Sequence, residues 1–552
     1  MTKSLPMTKI QGRISLESLL LVTISIAVLI RILNLGSREF WYDEVLTLLL
    51  STGQRSAYNT PETTPVILSA YTPLLSLPPE SGLLAGLQTV RSLLKSLIGG
   101  EPHPPLLFLG QHLWLRLFGN GEAAFRSLGA LLSVGAIGSA YGFGRVLLGH
   151  RAGLMLAALL GTNPFYLLHS LNVRMYGPLV LWTVLSGWAL LHLTAPSEQR
   201  PKTWSRRVQF GWSGLLILSV FAGLMTFYLF AYWVIVLAVV VFYRDRARWW
   251  QQGLRLAIGV LLTLPWAFWG TIKQLKNADL KRFSNGQANP LQHLQNLIEV
   301  LGNHLLLGDW ATSLPPVAVV IAGLMMAAIL LGMILWLWRT EQRPLLVTVL
   351  LLGIFPLLIA LTVDVIGRKF TIGFGEGRTL IFILPGCLLL LVLGLEQLRD
   401  RWRSVLTVGL LVLYLSIDIG SYSLKPRQMF HQIASLVGSA STPTLIAMNS
   451  QAWGHVMRLA YYIPPTAPVA LLAQESADLP AALQNALVGD RYTRVLWLES
   501  ARPIWSPAST PAEKQQIEQI LQKQFKLVKT EPLSGTMKSD EFVAKLYTQS
   551  NL

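Results

Sequence analysis

Apolar runs long enough to cross a lipid bilayer recur from residue 16 to residue 420, and this pattern limits what the chain can fold into more than any other feature. A helix rises about 1.5 Å per residue, so it needs about 20 consecutive apolar residues to traverse the hydrocarbon core. Residues 16–35, 127–147, 152–171, 177–195, 211–227, 229–243, 254–271, 314–338, 345–363, 379–396 and 404–420 have that character, which predicts about eleven spans. Hydrophobic residues make up 52% of the chain and charged residues only 13%, more apolar than a water-soluble protein of 552 residues needs to be. The expected class is therefore an all-α polytopic membrane protein. The single cysteine, Cys387, lies within one of the runs, so neither an intrachain disulfide nor a cysteine metal cluster can form.

Charge orients the spans. The first run follows Lys3, Lys9 and Arg13, and no small-residue cleavage signal comes after it, which predicts an uncleaved helix with its N-terminus inside. The net charge is +17, and its basic residues concentrate in loops at 145–151, 200–207, 244–255, 339–343 and 399–403. With eleven spans all five loops fall on the side of the N-terminus, which the positive-inside rule makes cytoplasmic. That accounts for the charge without a nucleic-acid partner. Residues 103–118 are apolar too, but counting them as a span would reverse every later loop. Since they carry Gln111, His112 and Arg116, they are expected as an amphipathic helix lying on the outer surface.

This helix belongs to a large first extracytoplasmic loop, residues 36–126. A second outer segment, 273–310, carries Lys273, Lys276, Lys281 and Arg282 against the charge rule, and cations there suit a phosphate-bearing lipid. Beyond residue 420 the spans stop. Strand-like runs at 444–448 and 495–498, a polar helix at 512–524 and a further strand at 525–528 predict a small extracytoplasmic α/β domain. The expected division is a transmembrane module, 1–420, and a C-terminal domain, 421–552.

Polar residues collect at the outer boundary of this topology. Asp43 and Glu44 follow the first span, His103 opens the surface helix, and Arg126 precedes the second span. Asn172, Arg174 and Tyr176 border the third, while Lys369, Glu376 and Arg378 precede the tenth. Arginines and aromatics often only anchor helices at an interface, and Trp336 and Trp338 read as such a belt. His112, His169 and His192 are lone histidines on apolar faces and read as structural, and His103 beside Pro104 and Pro105 reads equally well as a loop residue. Adjacent carboxylates, however, neither anchor nor snorkel well, so Asp43 and Glu44 point to function. Transfer from a phosphate-bearing donor fits: Asp43 accepts the proton of an attacking hydroxyl, and Arg378 holds the leaving phosphate. A single in-line displacement inverts the sugar carbon.

Trp41-Tyr42-Asp43-Glu44, His103-Pro104-Pro105-Leu106, Leu117-Phe118-Gly119 leading to Arg126-Ser127, Gly149-His150-Arg151-Ala152-Gly153, Asn163-Pro164-Phe165 and Arg174-Met175-Tyr176 follow one another along the chain. In this order they resemble GT-C glycosyltransferases of the protein O-mannosyltransferase and aminoarabinose transferase type. The resemblance covers residues 20 to about 400 and is sharpest over 100–180. It implies a GT-C fold, a polyprenyl-phosphate sugar as donor, and reaction on the extracytoplasmic face. It places the catalytic aspartate at Asp43 and the late arginine motif of the donor phosphate at Arg378, and Pro265-Trp266 matches a recurrent span ending. Two departures stand out: Asn172 replaces an acidic residue or glutamine of many relatives, and Thr379 follows Arg378 where relatives carry tyrosine.

No cofactor is required by this chemistry, and a divalent metal bridged by Asp43 and Glu44 stays open, with no third ligand in view. The acceptor is expected to be a hydroxyl of a lipid, a glycan or a protein, and the setting a bacterial inner membrane with the site facing the periplasm or exterior. Two competing classes make different demands. A sugar or lipid transporter would place ionisable groups near the bilayer midplane and build broken helices around them. A non-catalytic scaffold would keep only the C-terminal domain as its working part.

Overall fold

A computed structural model describes residues 15–549 apart from residues 34, 196–205, 279–288, 425–427, 439–441, 490, 505 and 536–538. Lys3, Lys9, Arg13, Arg200, Lys281 and Arg282 of the charge pattern lie outside the described residues. Helix α1 (Leu16–Leu33) leads into an outer loop holding α2 (Tyr42–Ser51), strand β1 (Val66–Ile67), α3 (Leu83–Ile98) and α4 (Leu106–Phe118). The membrane part continues with α5 (Glu122–Leu148), α6 (His150–Thr162), α7 (Pro164–Ser170), α8 (Tyr176–Leu193), α9 (Arg206–Thr226), α10 (Phe230–Arg244) and α11 (Trp249–Asn277). After α12 (Pro290–Gly302) come α13 (Pro316–Trp338), α14 (Arg343–Gly353), α15 (Phe355–Gly367), α16 (Leu384–Glu396) and α17 (Asp400–Leu424).

Among the described residues eight helices are long and apolar enough to span, or up to ten segments if α6–α7 and α14–α15 each count as one bent span. The expected run at 229–243 is the 15-residue α10, shorter than the rest. Both bends have local causes. At the 63° break Pro164 lacks an amide to continue the α6 ladder, and the Asn163 side chain caps the new helix by accepting from the Tyr166 amide at 2.9 Å. At the 42° break Pro356 plays the corresponding role.

Among the described residues, two of the basic loops meet at one carboxylate. Arg151, between α5 and α6, pairs with Glu396 at the end of α16 at 2.7 Å, and Arg403 at the start of α17 lies 3.7 Å from the same carboxylate. Arg244, at the end of α10, reaches Thr194 and Thr348. These contacts bring together loops far apart in sequence, as the charge pattern requires of one membrane face.

At the opposite end α4 is a surface helix. Its 13 residues extend about 20 Å, short of the about 30 Å of hydrocarbon. Leu113, Leu117 and Phe118 are exposed, while Gln111 and His112 are buried. The polar side faces protein and the apolar side faces outward, as suits a helix at a lipid interface. His112 is structural, its ring bonded to the Ser51 carbonyl at 2.8 Å.

The C-terminal part contains α18 (Met429–Val437), β2 (Thr444–Met448), α19 (Trp453–Tyr462), β3 (Val469–Ala473), α20 (Leu479–Ala486), β4 (Arg494–Ser500), α21 (Pro511–Gln522), β5 (Phe525–Ser534) and β6 (Glu541–Gln549). The strands run in the order β1-β3-β2-β4-β6-β5, with β3, β2 and β4 parallel and the β5–β6 hairpin antiparallel. The short α19 and α20 supply the crossovers that parallel strands need.

The sheet is not built from the C-terminal residues alone. Strand β1 from the first outer loop pairs antiparallel with β3, setting Val66 opposite Leu471. One hydrophobic cluster runs from Phe40, Tyr42 and Val45 through Tyr58 and Tyr71 to Val456, Ile446 and Phe542. The outer loop and the C-terminal residues therefore share a core.

Candidate active site

Helix α2 starts at the acidic pair and separates it. Successive residues of a helix point about 100° apart, so Asp43 and Glu44 cannot face the same way. Glu44 is 0% exposed and turned inward. At the third helical position it accepts the Trp41 amide at 2.9 Å, which helps fix the start of the helix. Its carboxylate also takes two bonds from Arg126, at 2.9 and 2.7 Å, and the Val173 amide at 3.0 Å. The remaining Arg126 donors reach the carbonyls of Leu35, Arg38 and Glu39. Burial opposes ionisation of Glu44, but the Arg126 guanidinium outweighs it and holds the carboxyl below the usual range.

Both residues need correction against the sequence reading. Glu44 was expected in the catalytic pair and Arg126 at the substrate, yet they form a buried pin joining α1, α2, α5 and the loop before α8. Both Glu44 oxygens are committed to protein donors, which leaves neither placed to bridge a metal with Asp43. Among the described residues no group of three or more His, Cys, Asp and Glu side chains is placed to hold a metal ion.

Asp43 faces a cavity of about 1190 Å³ between the outer ends of the membrane helices and the C-terminal sheet. Arg378 Nη1 stands 3.4 Å and Arg174 Nε 3.8 Å from Asp43 Oδ2. Arg174 is held by Thr47 Oγ1 at 3.1 Å, one turn along α2 from Asp43. His103, Tyr176 and Lys369 also line this cavity, so the structure gathers six of the ten residues singled out from the sequence. The His103 ring stacks on Phe227, and its backbone carbonyl accepts from Gln274 at 2.6 Å, which fixes the loop before α4.

The other two behave differently. Asn172 is 6% exposed and not at the cavity; its side-chain oxygen accepts from Arg38 at 3.4 Å. Glu376 is an exposed residue whose backbone, not its side chain, serves the site.

That backbone is a left-handed turn. Gly375, Glu376 and Gly377 have φ of 56°, 56° and 86°, a run accessible to glycine but costly for Glu376. The turn is anchored by Asn303, which donates to the Glu376 carbonyl at 3.1 Å, and by a hydrogen bond between His304 Nε2 and the Gly377 carbonyl at 3.0 Å. A side chain on Gly377 would place Cβ 2.5 Å from Val300. The chain reversal delivers Arg378 to the cavity, where its guanidinium is framed by the rings of Trp41, Tyr176 and Phe374 at 5.1–5.5 Å. Arg378 Nε and Arg174 Nε are buried and make no hydrogen bond among the described residues.

The cavity carboxylate nearest Arg174 after Asp43 escaped the sequence reading. Glu101 is partly buried, bonded to the His103 ring, and 3.9 Å from Arg174. Burial opposes its ionisation, but His103 and Arg174 together hold it below the usual carboxylate range. Its only sequence signal was its place two residues before His103. Asp43 and Glu101 thus flank one arginine from opposite ends of the first outer loop.

Residues 102–269 match the family described as dolichyl-phosphate-mannose-protein mannosyltransferase. The whole fold is similar to that of ArnT from Cupriavidus metallidurans bound to undecaprenyl phosphate, with a TM-score of 0.55 at 12% identity over 96% of this chain and 98% of that one. The chain has the GT-C glycosyltransferase fold. Apo ArnT from the same organism gives a TM-score of 0.54 at 11% identity over 96% of this chain and 97% of that one. The Archaeoglobus fulgidus oligosaccharyltransferase in complex with Zn and sulfate gives 0.50 at 13%, over 96% and 73%. No curated protein matches the chain by sequence. The family match and the structural likeness both lead to glycosyltransferases, the likeness in fold extending over nearly the whole chain. The matched residues begin beside Glu101 and include His103, Arg126, Arg174 and Tyr176, so the GT-C likeness in sequence falls on the segment that forms one wall of the cavity.

Proposed function

We propose that this protein is an inverting glycosyltransferase that moves a sugar from a polyprenyl-phosphate donor to a hydroxyl of a lipid, glycan or protein acceptor on the extracytoplasmic face. The observation that carries the reading is Asp43, a carboxylate at the cavity wall with Arg378 at 3.4 Å and Arg174 at 3.8 Å. The family match and the undecaprenyl phosphate bound to ArnT support the donor class. The active face is the one away from the basic loops, and a bacterial plasma membrane is the proposed setting.

In this reading Asp43 accepts the proton of the acceptor hydroxyl as its oxygen bonds to the anomeric carbon. The bond from that carbon to the phosphate oxygen breaks, and the phosphate leaves with the electron pair. Arg378 and Lys369 hold it through charged hydrogen bonds, Arg378 in the paired geometry that guanidinium offers a phosphate. The donor phosphate competes with Asp43 for Arg378, so donor binding releases the carboxylate to accept a proton. Tyr176 and Trp41 limit where Arg378 can move, and Arg174 holds Asp43 and Glu101 in place. Residues 421–552, with β1, form the outer wall.

The test uses full-length protein reconstituted with a polyprenyl-phosphate sugar. Asp43→Asn is expected to retain fold and donor binding but lose transfer, and Arg378→Ala to weaken donor binding. Wild-type transfer rates in Asp43→Asn would remove the base, and donor translocation without a covalent product would replace the enzyme by a transporter.

A further inference from the structure

The outer end of the cavity carries cations that the donor chemistry does not use. Helix α3 presents Ser92, Lys95 and Ser96 on one face, at three- and four-residue spacing, toward the turn Arg55–Ala57. Ser92 ties the two together by donating to the Gly53 carbonyl at 2.7 Å. Across from them stands Trp453, the first residue of α19 in the C-terminal part.

Arg55 sits between the two walls. Its guanidinium lies 4.5 Å from the Trp453 ring centre and 5.4 Å from that of Tyr58. Among the described residues it makes no hydrogen bond and no ion pair. A guanidinium placed against ring faces keeps its edge donors available, and its orientation is set before any ligand arrives. Lys95 is exposed and also without a side-chain partner among the described residues. Tyr58 is buried, lines the cavity, and has a hydroxyl with no hydrogen-bond partner among the described residues.

The charges reinforce this. The cavity is lined by the permanent cations Arg55, Lys95, Arg174, Lys369 and Arg378 against the carboxylates Asp43, Glu101 and Glu475. Arg174 and Arg378 already face Asp43, and Arg174 also faces Glu101. A donor phosphodiester adds one negative charge beside Arg378 and Lys369. Positive charge is left at the outer end, where Glu475 at the rim is the carboxylate contributed by the C-terminal part.

Asp43 lies between the two ends. Arg378 reaches it from the tenth-span side, and its neighbour Tyr42 packs on His455 of α19 at 5.5 Å between ring centres. In-line displacement brings the acceptor from the side opposite the leaving phosphate. We propose that the outer end is the acceptor subsite and that the acceptor carries an oxyanion, a carboxylate or a phosphate, gripped by Arg55 with help from Lys95 and the Tyr58 hydroxyl. This inference rests on the transferase reading and names the acceptor class for it.

The experiment offers reconstituted full-length protein three acceptors with the same donor: a neutral oligosaccharide, a uronate-containing oligosaccharide and a phosphorylated glycolipid. Transfer to one of the anionic acceptors is expected, and which one responds separates carboxylate from phosphate. Arg55→Ala should raise its KM about 10- to 100-fold, the range of a lost hydrogen bond to a charged group, with the donor KM little changed; Arg55→Lys should restore part of the loss. Transfer to the neutral acceptor with a KM indifferent to Arg55→Ala overturns the proposal.

A second measurement does not depend on turnover. Glucuronate and inorganic phosphate are titrated onto Asp43→Asn protein with and without Arg55→Ala, and thermal stability is read. An increase that needs Arg55, where wild-type protein transfers sugar to none of the three acceptors, would leave the anion site standing and remove the transferase reading. No Arg55-dependent increase with either anion overturns the site itself.

Discussion

Asp43 and Glu44 are neighbours in sequence with opposite consequences when changed. Removing Glu44 leaves Arg126 buried and unpaired, a defect worth about 3–5 kcal/mol. Glu44→Ala is therefore expected to lower thermal stability sharply, whether or not donor is present. Asp43→Asn touches a cavity wall and should leave the melting temperature nearly unchanged while slowing transfer by about 10²- to 10⁴-fold, the range of a lost general base.

Acid should act through the two arginine-paired glutamates, Glu44 and Glu101. Glu44 and Glu101 both have folded-state pKa values below the ordinary carboxylate value, because Arg126 in one case and His103 with Arg174 in the other outweigh the cost of burial. Each therefore contributes stability that is fully present above about pH 4.3 and is lost as pH falls through its folded value. Melting temperature measured from about pH 6 to pH 3 should fall, and Glu101→Gln should flatten part of that slope. An unchanged profile in Glu101→Gln would remove the His103 and Arg174 pairing as its cause.

At the scale of elements, two backbone positions control where the reacting groups point. Gly377 has φ of 86° and would set a Cβ 2.5 Å from Val300, so Gly377→Ala strains the turn that delivers Arg378. Donor affinity should drop while the spans stay folded, a result checked by polyprenyl-phosphate binding. Gly454, at the start of α19, has its missing Cβ position 2.5 Å from the Tyr42 ring. Gly454→Ala pushes on the residue before Asp43 and should cost about 1–3 kcal/mol of overpacking together with lower transfer at unchanged donor binding. The hydropathy of the sequence located the membrane helices well, since Pro316–Trp338 is apolar over its whole length and Leu16–Leu33 is interrupted by charge only near its ends, at Glu17 and Arg31. It could not show the turn geometry at 375–377, because three glycine-rich residues read as a loop until Asn303 and His304, some seventy positions away, are seen to hold them.

At the scale of the molecule, the outer loop and the C-terminal part are one structure. Strand β1 completes the sheet, Phe40 and Tyr42 sit in its hydrophobic cluster, and Arg458 with Asp540 forms a buried pair, at 3.0 and 2.6 Å, beneath the Tyr42 ring. Deleting residues 421–552 should therefore abolish transfer and also expose the apolar surface around Tyr58 and Tyr71, detectable as aggregation or increased dye binding. A truncated protein that stays monodisperse and transfers sugar normally would show that the shared core is dispensable.

By itself the sequence determined the membrane-spanning class, and its charge pattern led to the expectation that the basic loops share one face and that Asp43 lies at the other. Hydropathy and charge are summed over adjacent residues, so these properties need no knowledge of distant contacts. The tertiary structure alone decided which acidic neighbour faces the cavity, that Glu101 joins it, and that Val66 pairs with Leu471. Each of those outcomes depends on residues brought together from far along the chain, such as Glu44 with Arg126 and Asp43 with Arg378, and no local pattern encodes such a meeting.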